Sequence, residues 1–480
     1  MATRGQRTSL LFFVALAAAP RAAHAQTEAP EVPDAVESPP EPAPARPAAP
    51  RAEAAPTEPR VAPAAESTLR REPVDARAPE WDVTPGARLD VDSGVSHGGP
   101  STSLLVRRAR LQATGWVGPF VYFSAAAEYA TPPGQPSTFA PTDVFVAVAP
   151  LGPRLVLQAG QFDAPFTLEN RTVDSALDFL ERSIAIGAFG IPENKATGAM
   201  LTGTDEERRF HYALGVFDGD GRSLRNLDDQ FDFMARAWLA PFAFTGGGPL
   251  HALSLGGSFW IGDRASATPL DPQTTSGGLA FASFAPYTTS TGGAPRQLRQ
   301  VGRRVEAAAE LELPIGPRFG ARAEIVWRRS PLSEEDVTDP THPAILGGAN
   351  LDGWAAYGQA WLWVLGDERP APGARHGLEP FAPRAAADHA PDGLMVALRL
   401  SHIDEEVWQE TDAALLNLRD PSVGITQVTS LELGANYWHG RAFRASFNYV
   451  LNHVTGTTPE VKSLGAATEH ELLLRLAIAL

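Results

Sequence analysis

The stretch GQFDAPFTLENRTVDSALDFLERS, residues 160–183, ends one kind of structure and begins another. Ahead of it, Arg154, Val156 and Gln158 alternate with Leu155, Leu157 and Ala159, the two-residue period of an extended strand. Pro165 has no amide hydrogen to give to a ladder and stops that strand. From Thr172 onward Val173, Ala176, Leu177 and Leu180 return at helical spacing, while Arg171 and Arg182 interrupt a run of carboxylates, Glu169, Asp174, Asp178 and Glu181. The connection is too long for a hairpin and reads as a folded loop seated on a strand end.

Working outward, the segments on either side repeat the strand signal. In 231–240, Phe231, Phe233, Ala235, Ala237 and Leu239 oppose Asp232, Met234, Arg236 and Trp238. In 318–328, Phe319, Ala321, Ala323, Ile325 and Trp327 oppose Arg318, Gly320, Arg322, Glu324, Val326 and Arg328. In 393–403, Leu394, Val396, Leu398 and Leu400 oppose Met395, Ala397, Arg399 and Ser401, and the last ten residues place Leu472, Leu474, Leu476 and Ile478 opposite Arg475. A soluble sandwich also alternates. Here one face is free of charge in run after run, and aromatic residues collect near run ends, as in a barrel wall facing lipid. Dividing the roughly 400 residues after position 80 by about 25 per strand and connection gives close to 16 strands. A barrel of that size leaves an aqueous lumen. The fold class expected is all-β, a transmembrane antiparallel barrel of about 16 strands. The polar stretches 266–300, 330–350 and 369–391 are expected as its extracellular loops.

Composition agrees and excludes other classes. Hydrophobic residues make up 44% of 480, yet no run after residue 25 approaches the roughly 20 apolar residues of a membrane helix. Residues 1–25 carry Arg4 and Arg7, an apolar stretch over 9–20 and the small-residue site Ala23-His24-Ala25, the pattern of a cleaved export signal. Residues 26–80, with Pro at about one position in four, cannot bury enough surface to order themselves and are expected to be a disordered Pro/Ala/Glu-rich linker. That arm is either a plain spacer or a tether to the cell wall. There is no cysteine, hence no disulfide framework. A net charge of -16, with Lys195 and Lys462 the only lysines, speaks against a nucleic-acid surface.

The pattern G-Q-F-x-x-P-F…L-E…D-F-x-E-R-S in 160–183 resembles the most recognisable stretch of the phosphate-selective porin O and P family. Other family-like stretches follow in order: RRARL at 107–111, Asp143 opening a strand, YALGVFDG at 212–219, Ala235-Arg236 with Pro241-Phe242, LGDER at 365–369, ALRLS at 397–401 and LGANYW at 433–438. The resemblance implies a porin in the outer membrane of a Gram-negative bacterium, in contact with its lipid. It further implies a homotrimer, a loop after the motif that folds inward and narrows the pore, and phosphate or polyphosphate as solute. Phosphate-selective members carry lysines on that loop, whereas 168–183 has none. A broader anion pore therefore stands beside phosphate capture.

If the apolar faces meet lipid, the opposite faces line the lumen, because a guanidinium at mid-membrane depth costs about 2–4 kcal/mol. The lumen candidates are Arg108, Arg110, Arg154, Arg236, Arg304, Arg318, Arg322, Arg328, Arg399, Arg444 and Arg475. The constriction-loop candidates are Arg171, Arg182, Glu169, Asp174, Asp178 and Glu181. Fixed positive charge around a water column favours anions, and Arg binds phosphate or carboxylate through a planar fork. The competing role for each Arg is to pair with a lumen carboxylate and stiffen the wall. No metal site, cofactor or catalytic residue is expected. The histidines lack ligand spacing, and alternation puts Ser401 inward and His402 outward, which separates the one candidate hydrolytic pair. Two readings remain, an anion-preferring passive channel and a structural barrel anchored through 26–80.

Overall fold

A computed structural model describes residues 81–479 apart from 98–102, 119, 132–136, 192–193, 206, 220, 223–228, 246–247, 270–272, 283–285, 287, 289–292, 340–343, 369–391, 409–425, 441 and 456–467. The expected export signal and linker, 1–80, lie outside the described residues.

The wall has sixteen strands, numbered here in chain order: β1 Trp81–His97, β2 Ser103–Val117, β3 Val121–Ala130, β4 Thr138–Val148, β5 Val156–Asp163, β6 Lys195–Thr204, β7 Phe210–Phe217 and β8 Asp232–Leu239. The remainder are β9 Ser254–Pro269, β10 Arg296–Ile315, β11 Phe319–Asp336, β12 Ala344–Leu365, β13 Asp392–Trp408, β14 Thr426–His439, β15 Phe443–Thr455 and β16 Thr468–Ala479. Each pairs antiparallel with its neighbours in sequence, and β1 pairs with β16, Arg88 opposite Ala479 and Ser96 opposite Glu471, so the sheet closes and no edge is left.

The alternation decides which side faces outward. Leu472, Leu474, Leu476 and Ile478 of β16 are about half exposed, whereas Glu469, Glu471, Arg475 and Ala477 are buried inside. The same division holds in β8, β11 and β13 as their sequences require. Strands β3 to β8 are 8 to 11 residues long and β10 to β12 are 18 to 22, so one side of the barrel is low and the other tall. The tall strands carry outward ion pairs, Arg303 with Asp263 at 3.0 Å and Arg329 with Asp352 at 3.9 Å. Charged groups of this kind belong above the hydrocarbon.

Even-numbered strands end at the rim where β1 begins, the near rim, and odd-numbered strands end at the far rim. Near-rim hairpins turn tightly on glycines in the left-handed region, Gly118 (φ 60) and Gly316 (φ 61). Two of the three expected extracellular loops are corrected. Much of 266–300 and 330–350 is strand, because β9 to β12 continue past the apolar band. The third, 369–391, lies outside the described residues.

Two segments enter the lumen. The β5–β6 connection, 164–194, contains α1 Leu168–Arg171, a 3-10 turn Asp174–Ala176 and α2 Ile184–Phe189. The β9–β10 connection supplies a small ribbon, Gln273–Thr274 paired with Ala280–Ala282. Apolar α2 packs with Phe281, Leu332, Leu351 and Ile403 in one buried cluster, so part of the lumen interior is dry.

Candidate functional site

The inserted loop is held by the wall at nearly every turn. Its first turn is strained: Thr167 has φ 56, a region β-branched residues avoid. The wall keeps it there. The Thr167 amide donates to Ser258 Oγ at 3.0 Å, and the Leu168 and Glu169 amides donate to the two oxygens of Glu324 at 2.6 and 2.8 Å. The Tyr357 hydroxyl donates to the same carboxylate at 2.6 Å. Glu324 thus occupies the amides with which this turn could have received an outside anion.

The middle of the loop is not helical, against its apolar spacing. Wall and loop arginines take the carbonyls that a helix would use internally: Arg444 donates to Ser175 O (3.0 Å) and Leu177 O (2.6 Å), Arg475 to Leu180 O (2.6 Å), Arg399 to Glu181 O (3.0 Å) and Arg182 to Thr172 O (2.8 Å). Between them Phe179 enters a socket of Trp361, Trp363, Met395 and Trp438, with the Arg399 guanidinium 4.2 Å above its ring. Gly434 forms the socket floor; a Cβ there would stand 3.1 Å from the ring.

All four loop carboxylates are matched. Glu169 accepts from Arg399 at 2.9 Å and from the Ser183 amide at 2.8 Å. Asp174 pairs with Arg108 and Arg182, both at 2.7 Å. Asp178 accepts from Gln359 at 2.5 Å and Arg322 at 3.3 Å, and Glu181 from Arg475 at 2.6 Å and Arg107 at 2.9 Å. Burial opposes the charged form of Glu181, but Arg107, Arg475 and Arg108 outweigh it and hold its carboxyl below the usual range. Asp174 is likewise buried yet held well below that range, chiefly by Arg108 and Arg182. Arg171 donates to the main-chain oxygen of Asp163 at the loop base.

Of the sequence-derived lumen set, Arg108, Arg110, Arg236, Arg304, Arg322, Arg328, Arg399, Arg444 and Arg475 point inward. Arg154 and Arg318 do not. Both are exposed in near-rim turns just before β5 and β11, where the strand alternation that assigned them has not begun. The inward set divides by environment. Arg322 and Arg399, each 1% exposed, are packed against the loop, and Arg236 makes a two-fold pair with Glu310 at 2.6 and 3.1 Å. Arg328 joins Glu306 and Glu405 and caps Ala188 O at 2.8 Å, while Arg304 pairs with Glu306 and lies 3.8 Å above the Trp260 ring. On the other side, the Arg110 side chain is 19% exposed and that of Asp163 22%. The β1–β6 side of the lumen is therefore open to water at these two groups, while α2 and its apolar cluster fill the interior beside β11, β12 and β13.

Several lumen cations were missed. Arg107 escaped because a bulge, where register shifts between Asp90 and Val91, sends both Arg107 and Arg108 inward and breaks the two-residue count. Lys195 joins Asp143 (2.7 Å) and Asp163 (2.6 Å), and Arg264 pairs with Asp232 at 2.8 Å. Arg88, paired with Asp90 at 2.8 Å, was legible in the alternation of Arg88-Leu89-Asp90-Val91. Ser401 is buried inside while His402 sits outside against Trp354, ring centroids 5.2 Å apart, as alternation required.

The register sets the wetted wall in rows. Arg444 lies opposite Ala477, Ala477 opposite Asp90, and Asp90 opposite Arg108. Arg444 donates to Asn436 Oδ1 and to the loop carbonyls, and among the described residues it makes no ion pair with a carboxylate.

Residues 81–264 match the sequence profile described as phosphate-selective porin O and P. No curated protein matches the chain. Similar solved structures include outer-membrane expressed OmpT of Vibrio cholerae (TM-score 0.49, 10% identity, covering 84% of this chain and 99% of that chain). OmpF of Salmonella typhi (0.47, 10%, 84% and 98%) and an anion-selective porin from Comamonas acidovorans (0.44, 10%, 84% and 100%) are also similar.

Proposed function

We propose, from the match of residues 81–264 to the phosphate-selective porin O and P profile, that the barrel is a passive, water-filled, anion-preferring channel for ions of about the size of phosphate. The observation that carries the anion preference is Arg444, a lumen guanidinium hydrogen-bonded by carbonyl and amide oxygens and, among the described residues, without a carboxylate ion pair to offset its charge. Around it Arg475, Arg88, Arg107, Arg108, Arg110 and Arg182 line the same side of the lumen, each paired with a carboxylate among Asp90, Asp92, Glu128, Asp174 and Glu181. Towards the far rim the buried pair Glu469 and Glu471 reverses the sign, so the preference belongs to the level of the loop. Anions crossing there exchange part of their hydration for guanidinium contacts and leave again because every Arg also has a protein partner.

Planar-bilayer recording in a potassium chloride gradient tests this reading. A reversal potential of the anion-selective sign is expected, with phosphate reducing chloride current; a cation-selective sign overturns the anion assignment, and absence of stepwise conductance overturns the channel. In the same reading three copies assemble in outer-membrane lipid, to be checked by migration of the unheated protein in mild detergent. The dry half of the lumen also suits a structural barrel tied to the cell wall through 26–80. Deleting that arm separates the two, since a channel conducts unchanged and an anchor loses its retention with the wall fraction.

A further inference from the structure

The wetted side of the lumen carries a second feature that charge does not explain. Five rings from β2, β3, β4, β5 and β7 touch in sequence: Trp116 and Tyr122 with centroids 5.4 Å apart, Tyr122 and Phe145 at 6.0 Å, Phe145 and Phe162 at 5.9 Å, and Phe162 and Phe217 at 5.7 Å. Register and burial place them inside. Trp116 lies directly opposite Tyr122, and Tyr122 opposite the fully buried Ala147, while Val144, Val146 and Val148 on the other face of β4 are exposed towards lipid. The series climbs from the near-rim turn at Gly118 to the base of the inserted loop. Its upper members, Phe162 and Phe217, are buried in the apolar cluster, and its lower three are only partly covered. A wall needing only to be stiff would hide such rings, because each partly covered ring leaves apolar surface in water at roughly 25 cal/mol per Å².

We propose that Trp116, Tyr122 and Phe145 form a stacking track for solutes with a flat apolar ring, and that, with the guanidiniums further along the same wall, the channel favours monocyclic aromatic carboxylates over aliphatic carboxylates of equal charge. The inference rests on the channel reading. Arg110, which lies opposite Glu128 on the same inner face and carries the charge-reading part of that wall, stands three inner-face places along β2 from Trp116, with Gln112 and Thr114 between. Rings meet rings in offset or edge-on geometry, as the 68° and 39° interplanar angles of the first two pairs already show, so a visiting ring finds both a face and an edge.

Full-length protein in planar bilayers, carrying chloride current, is exposed to benzoate and to acetate at equal concentration. The native channel is expected to be blocked roughly fivefold more strongly by benzoate, the preference of one ring stack. In Tyr122→Leu and Trp116→Leu, which keep apolar volume but remove the ring, the ratio of the two blocks should fall towards one. Phe447→Leu, facing lipid, should keep the native ratio. Equal block by both acids in the native channel overturns the track and leaves the channel standing, as does a benzoate preference that survives in both lumen variants. A protein with no chloride steps overturns track and channel together.

Discussion

At the scale of single residues, the lumen arginines are chiefly ties between wall and loop, and one of them, Arg444, keeps charge to spare. Replacing it by Gln removes one guanidinium while leaving a hydrogen-bonding group for the loop. A unit charge about 4 Å from a hydrated ion is worth on the order of 1 kcal/mol in water, so the chloride-to-potassium permeability ratio should fall by up to about fivefold. A reversal potential that does not move would show that Arg444 takes no part in selectivity. The loop carboxylates give a pH expectation with a definite sign. Glu181 and Asp174 have folded values depressed below the unfolded ones, so their contribution to holding the loop is complete above about pH 4 and is lost only as pH falls below that towards the folded values. Conductance should therefore be steady from pH 8 to about 5, with added current noise appearing only in more acid solution. Noise that sets in near pH 6 would point to groups other than these.

At the scale of elements, the inserted loop is fixed less by its own helices, of 4 and 6 residues, than by the Phe179 socket and the Glu324 grip on α1. Phe179→Ala empties the socket and removes a contact worth about 3 kcal/mol. Gly434→Leu fills it from below and displaces the ring. Both changes should release the middle of the loop and give a larger, noisier conductance than the native channel, by different routes to one result. Should Phe179→Ala and Gly434→Leu conduct like the native protein, the socket is not what holds the constriction. The loop also shows where sequence reading ran out. The spacing of Val173, Ala176, Leu177 and Leu180 is genuinely helical, but the carbonyls between them are taken by Arg444, Arg475 and Arg399, which lie more than 200 positions later in the chain. Local pattern cannot report a partner at that separation.

At the scale of the whole molecule, the closed sheet turns every second side chain outward and so makes lipid a required solvent. Leu474→Arg, in the row of half-exposed leucines of β16, should cost about 2–4 kcal/mol if it lies near mid-membrane. Reversible guanidinium unfolding in lipid vesicles measures that cost. A change within error of zero would mean that this face does not meet hydrocarbon. The asymmetry of the barrel, low over β3 to β8 and tall over β10 to β12, accompanies a lumen that is wetted on one side and packed on the other. The conducting path is accordingly expected to be narrower than sixteen strands alone would leave.

The amino-acid sequence by itself determined the barrel, the folded loop on a strand end and the side on which most arginines fall, since these follow from a two-residue period, a proline and the cost of charge in hydrocarbon. The strand number came from chain length, and the inward course of the loop was implied only by the family resemblance. Only the tertiary structure decided which arginines are tied to carboxylates, that Arg107 turns inward, that Arg154 and Arg318 lie in turns, and that five rings from separate strands touch in sequence. Each of these depends on register, on a bulge or on a contact between residues distant in the chain. The period of a strand fixes which face a side chain takes, but not the neighbour it meets there.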